Sequence, residues 1–172
     1  MFTPLITHDS DGTALAAPVD AARRNGATYK TRTIDDLRIK DDRLRAAIEG
    51  TGHLLFDGGM GTYYKGAPGR ECEQANRLDP EGIRAVHRAY LAAGADAIKT
   101  NTFGLPRMAA AQDPEWEALT DAAWKLAAEA AAGTDAAVFA DLGPAPDTEG
   151  LSAAQVYTAV VRRFAALGAK NY

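Results

Sequence analysis

The chain has only one cysteine, Cys72, among its 172 residues, which excludes an internal disulfide. A chain so poor in cysteine is typical of a reducing compartment. It also lacks any run of about twenty apolar residues, the length that spans a bilayer. Its first residues lack the basic start and apolar stretch of a secretory signal. We therefore expect a cytoplasmic protein with no membrane partner.

The sequence also lacks an excess of positive charge, and its histidines and cysteine lack the spacing of metal ligands. The formal net charge is −4 at pH 7, which argues against nucleic acid as the main partner. No pair among His8, His53, His87 and Cys72 has metal-ligand spacing. Two glutamates flank Cys72 and hinder thiolate formation, so we interpret it as an inert thiol. His87 lies within a helical pattern, where a packing or surface role is the simpler interpretation.

What the chain does contain, from residue 53 onward, is a unit of about forty residues that repeats. Each unit has a short apolar run, a polar or glycine-rich tip and a helical pattern. Strands are predicted at 54–57, 95–98 and 135–140, and residues 169–172 resemble the opening of a fourth. The predicted helices have capping residues at their starts and glycines at their ends: Asp79, Asp113 and Ser152 as caps, and Gly94, Gly133 and Gly168 as stops.

Strands alternating with helices predict an α/β fold with a parallel sheet and right-handed crossovers. We interpret the units as about the first three to four of a TIM-type (β/α)8 barrel, which takes eight strands and typically about 250 residues. Residues 1–50 are then an N-terminal extension with one short helix within 35–49. Residues 51–172 are the N-terminal half of the barrel. Such a half exposes an unpaired sheet edge.

The candidate site residues lie at the carboxyl ends of the predicted strands, which parallel sheets bring together at one edge. Asp57 offers a carboxylate to an ammonium group, and Gly58 lets the backbone approach a ligand. Asn101 and Thr102 are neutral donors and acceptors suited to a small polar ligand, and Asp141 follows the third strand.

Each of these residues also has a purely structural interpretation. Asp57 and Gly58 are equally consistent with a cap and a tight turn, and Asn101 with a side chain that ties down its own loop. Asp141 suits a turn as well as a ligand. Neither a phosphate-binding loop nor a Gly-x-Ser-x-Gly nucleophile elbow occurs in the sequence.

Three ordered blocks of the sequence resemble the homocysteine S-methyltransferase family. They are Phe-Asp-Gly-Gly-Met-Gly-Thr at 56–62, Arg-Ala-Val-His-Arg-Ala-Tyr-Leu-Ala-Ala-Gly-Ala-Asp at 84–96, and Thr-Asn-Thr-Phe-Gly at 100–104. The resemblance implies a barrel that binds homocysteine and a zinc ion, where the metal-bound thiolate takes a methyl group to give methionine. It implies further that Asp57 and Gly58 hold the amino-acid end of homocysteine, and that Asn101 and Thr102 line the pocket nearby.

The sequence departs from the family pattern in two ways. Many relatives carry an acidic residue where this chain has Lys99. The family's zinc thiolates come from later strands, in cysteine motifs expected after residue 172, so we expect no metal ligands in this chain. A catalytic zinc site typically needs three protein ligands. We therefore expect a truncated chain that is inactive alone, with the methyl donor left open.

Two other functions are consistent with the same residues. The chain is alternatively a non-catalytic half-barrel that binds or assembles with a second copy or another protein through its open sheet edge. A third interpretation is a barrel enzyme that uses Asp57 and Lys99 directly, without zinc.

Overall fold

A computed structural model of the chain describes residues 42–66 and 72–172. The chain divides into two units, residues 1–54 and residues 55–172. The described part of the first unit holds one helix, α1 (Asp42–Ile48), none of whose residues is fully buried. This helix falls within the predicted 35–49, whose earlier residues lie outside the described part, as does His8.

The second unit alternates helices with short strands. Its described helices are α2 (Met60–Tyr63), a 3₁₀ turn (Cys72–Gln74), α3 (Ala75–Leu78), α4 (Pro80–Ala92), α5 (Leu105–Ala110), α6 (Trp116–Ala131) and α7 (Ala153–Ala166). The strands are β1 (Ala97–Lys99) and β2 (Ala137–Phe139). No helix in the described ranges is long and apolar enough to cross a bilayer.

Four chain segments pair in parallel and in chain order. The middle two, β1 and β2, form a ladder in which Lys99 pairs with Phe139. On one side Phe56 forms a parallel bridge to Ala97, and on the other Phe139 forms one to Asn171. The parallel α/β arrangement is therefore confirmed, and the first and fourth predicted strands are single bridges. The eight-stranded barrel stays a prediction.

The helix starts show which sequence signals were correct. The Asp79 side chain accepts a hydrogen bond from the Gly82 amide at the start of α4, and Ser152 with Gln155 forms a full capping box on α7. The predicted cap at Asp113 is wrong, because α6 begins at Trp116. Asp113 instead accepts from the Glu115 amide, 2.8 Å away, and closes the preceding turn.

The helix ends follow the prediction more closely. The three glycines expected to stop the helices all have positive φ, of 97° at Gly94, 79° at Gly133 and 92° at Gly168. A side chain at such an angle is strained, so glycine is favoured there. Each glycine turns the chain from a helix toward the next strand segment.

The helices cover one face of the sheet. Ile98 and Val138 pack on this face against small residues near the end of α6, and a neighbouring cluster surrounds the fully buried Phe164 of α7. An ion pair links the two helices, since Arg163 Nε donates to Asp121 Oδ1 at 2.7 Å. The core of the described unit therefore lies between the sheet and α6–α7, with a third cluster where Ile83 of α4 packs with Leu126 of α6.

The other face of the sheet contributes neither of its phenylalanines to the hydrophobic clusters of the described residues. In-register parallel neighbours point to the same side, so Phe56, Lys99 and Phe139 share the face opposite Ile98. The rings of Phe56 and Phe139 lie 4.9 Å apart, and Phe56 is 42% exposed. We call these three residues the uncovered face.

Candidate functional site

Asp57 is the buried carboxylate at the first strand tip. Its backbone amide donates to the Ala97 carbonyl, as in a parallel sheet. The backbone amide of Lys99 in β1 donates to the Asp57 side chain at Oδ2, 3.0 Å away, and not to a backbone carbonyl. Its second oxygen, Oδ1, is buried and has no hydrogen-bond partner among the described residues. Burial raises the pKa of Asp57, against the opposing effects of the Lys99 amide and charge.

Lys99 lies between two carboxylates at this edge. Its Nζ is 3.7 Å from Asp57 Oδ1, an ion pair too long for a hydrogen bond. The pKa of Asp141 is raised as well, mainly because the carboxyl group is partly buried. The charge of Lys99 opposes this rise, and the charge of Glu73 adds to it. We call Asp57, Lys99 and Asp141 the Lys99 cluster. It holds two acids and one base at the carboxyl ends of the strands.

A closed ring of hydrogen bonds joins the tips of β1 and β2. Thr102 Oγ1 donates to the Asp141 carbonyl at 2.7 Å, and the Asp141 amide donates to Thr100 Oγ1 at 3.0 Å. The two threonine hydroxyl oxygens are 2.6 Å apart. Because the Thr102 hydroxyl already donates to the Asp141 carbonyl, the Thr100 hydroxyl is the donor between them. Thr102 is fully buried, so its hydroxyl group donates its hydrogen bond within the protein.

Asn101 is likewise engaged within the protein. Its Nδ2 donates to the Cys72 carbonyl at 2.8 Å and to Asn76 Oδ1 at 3.0 Å, and Asn76 Nδ2 donates back to the Asn101 carbonyl. Both amides are buried. The side chains of Asn101 and Thr102 are therefore buried and hydrogen-bonded within the protein, and their predicted contact with substrate stays a prediction.

Two polar residues of this region were missed by the sequence reasoning. Glu73 is buried and accepts from the Gly104 amide at 2.5 Å, and Asn76 forms the exchange with Asn101. Neither belongs to a recognisable motif. The one sequence feature that points to them is the mostly polar composition of the segment after Cys72, which is too short for a helix with an apolar stripe.

Gly58 is exposed and lies under the ring of Tyr90. A side-chain carbon at Gly58 would come within 2.7 Å of the Tyr90 hydroxyl, which itself lies 3.4 Å from the Gly59 carbonyl. A larger residue at 58 would therefore require the Tyr90 ring to move. By contrast, Gly61 lies in α2 with open space around it, so the structure gives no such reason for glycine there.

No metal centre is formed by the described residues. No three side chains among their histidines, cysteine, aspartates and glutamates are placed to hold an ion. Cys72 is half-buried, and His87 is fully buried inside α4, where it packs. The residues present in the two described ranges thus do not fit a zinc site.

A groove of about 370 Å³ lies away from the Lys99 cluster. Its lining includes Gly133, Thr134, Gly168 and Lys170, which belong to the joints between a helix and the following strand segment. These joints mark the amino ends of the strands, opposite the edge where parallel α/β proteins bind ligands. The groove is therefore separate from the candidate site.

Most of the second unit matches the model of a known protein family. The model of a family described as homocysteine S-methyltransferase matches residues 54–170, which is about two thirds of the chain. The matched region includes the first three strand segments and every member of the Lys99 cluster.

Proposed function

The chain belongs to the homocysteine S-methyltransferase family, and from this premise we propose that it binds the amino-acid end of homocysteine at the Lys99 cluster. In the reaction of such an enzyme, a methyl group is transferred to the sulfur of homocysteine and methionine is formed. We assign substrate binding to the described residues, and no chemical step through a metal. A cytoplasmic location is proposed with it, from the single cysteine.

The observation that supports this proposal is the buried carboxylate oxygen Oδ1 of Asp57, which has no hydrogen-bond partner among the described residues. A buried carboxylate oxygen without a hydrogen-bond partner is costly, and a ligand ammonium group removes that cost. Asp57 Oδ1 is such an oxygen, and it lies at the strand tip beside the exposed Gly58. The α-ammonium group of homocysteine would donate to Oδ1, while Oδ2 remains held by the Lys99 amide.

The experiment is a calorimetric titration of the chain with L-homocysteine. We expect Asp57→Asn to weaken binding about ten- to hundredfold, because it removes the charge that faces the ammonium group. Asparagine still offers an oxygen to the Lys99 amide, which limits the structural effect. The matched control is Asp135→Asn, at an exposed position. Failure of the wild-type chain to bind homocysteine would refute the proposal, and so would full affinity in Asp57→Asn.

A second candidate function is a non-catalytic half-barrel that binds or assembles with another chain. The pair of Phe56 and Phe139 on the uncovered face supports it, since contiguous exposed apolar patches commonly mark contact surfaces. Sedimentation velocity would distinguish the two functions. A defined oligomer that is lost in Phe56→Asp, together with no binding of homocysteine, would favour this second function.

A further inference from the structure

We infer that Lys99 binds the carboxylate of the substrate, so that the pair of Asp57 and Lys99 selects a zwitterionic α-amino acid. This inference rests on the proposed function and adds to it a residue that determines specificity. The family resemblance assigns the amino-acid end to Asp57 and Gly58, and many relatives carry an acid at the position of Lys99. The role of Lys99 must therefore come from its own surroundings.

The first argument is that Lys99 and Asp57 are close without being bonded. Their charged atoms, Nζ and Oδ1, are 3.7 Å apart, and Oδ1 has no hydrogen-bond partner among the described residues. The Asp57 side chain is only 3% exposed, whereas that of Lys99 is 36% exposed. Lys99 is thus paired with Asp57 by charge, while the hydrogen bonds of its Nζ are not directed at Oδ1.

The second argument is the balance of charge. Asp57 is a buried acid and Asp141 a half-buried one, and Lys99 is the cation that acts on both. The cluster itself therefore has an excess of one negative charge when both acids are ionised, and the nearby Glu73 adds to the negative charge that acts on Asp141. An ammonium group balances that excess, but the carboxylate of the same ligand would then face two acids. Lys99 is the cation of the cluster, and its ammonium group can donate hydrogen bonds to the ligand carboxylate there.

The third argument is geometric. The ammonium and carboxylate groups of an α-amino acid are attached to one carbon, so a site needs an acceptor and a donor side by side. Oδ1 of Asp57 and Nζ of Lys99 are arranged in this way, 3.7 Å apart, with the oxygen buried and the Lys99 side chain 36% exposed. Lys99 also lies on the uncovered face of the sheet, so that its side chain is accessible from one side.

The test compares three ligands on the whole chain by calorimetry: L-homocysteine, L-methionine and 3-(methylthio)propylamine. The last has the thioether chain and the ammonium group of methionine but no carboxylate. We expect the wild-type chain to bind methionine about ten- to hundredfold more tightly than the amine. Lys99→Met should remove this preference, and Lys99→Arg should retain it. Lys125→Met, at an exposed lysine of α6, is the matched control.

The results separate the inference from the proposed function. If homocysteine binds but methionine and the amine bind equally well to the wild type, Lys99 does not bind the carboxylate and the proposed function stands. The same holds if Lys99→Met weakens both ligands by the same factor, as a purely structural role predicts. If homocysteine does not bind at all, the proposed function fails and this inference fails with it. Equal binding of methionine and the amine by the wild type refutes the inference even if Lys99→Met does not fold, and Lys99→Gln then serves as the second neutral variant.

Discussion

His87 shows what burial does to a single side chain in this fold. It is fully buried in α4, and neither ring nitrogen has a hydrogen-bond partner among the described residues. Burial lowers the pKa of His87 from 6.5 to about 4. The folded protein therefore keeps His87 neutral at pH values where the unfolded chain binds a proton.

This pKa shift predicts a loss of stability in mild acid. The folded pKa is below the unfolded one, so the stability is fully present above pH 6.5 and is lost as pH falls toward about 4. We expect the wild type to lose about 2 kcal/mol more than His87→Leu between pH 7 and pH 4.5, as measured by urea unfolding. The raised pKa values of Asp57 and Asp141 affect both proteins and cancel in the comparison. Parallel pH profiles would contradict the assignment.

At the scale of elements, local signals were predictable and long-range pairing was not. Asp79 and Ser152 specify their helix starts through neighbouring amides, so the sequence alone was enough. Asp113 has the same local pattern, but its side chain closes a turn before α6. Asn101 and Thr102 were correctly placed at a strand tip, yet their partners come from about 25 and 39 residues away. No local pattern could reveal those partners.

The cap of α4 makes a prediction at this scale. Asp79 accepts hydrogen bonds from the Gly82 amide at 3.0 Å and from the Tyr64 hydroxyl at 2.8 Å. We expect Asp79→Ala to lower the free energy of unfolding by about 1–2 kcal/mol. Asp79→Asn should recover most of the loss, since asparagine also caps helices well. Thermal unfolding measures both, and an equal loss in the two variants would show that capping is not the cause.

At the scale of the whole described unit, the two faces of the sheet contribute unequally. The helix-covered face buries Phe164 completely, together with Ile98 and Val160. The uncovered face leaves Phe56 42% exposed against Phe139. Since the hydrophobic effect scales with the apolar area removed from water, most of the stability is expected on the helix side.

Two matched substitutions test this asymmetry. We expect Phe164→Ala to cost about 3–5 kcal/mol, as large-to-small changes in a packed core do. Phe56→Ala should cost about 1 kcal/mol or less, because only part of its ring surface is buried. Urea unfolding of both variants provides the comparison. Similar losses would mean that the uncovered face is covered in solution, which is the outcome that the assembly function requires.

The order of the strand segments also determines how the protein can be made. Each segment pairs with the one before it in the chain, at separations of about forty residues for the first two pairings and about thirty for the third. At a synthesis rate of roughly 5–20 residues per second, each new unit emerges over several seconds, far longer than a helix or hairpin takes to form. Each segment therefore finds its template already in place as it leaves the ribosome, so the sheet can grow from its N-terminal side during translation.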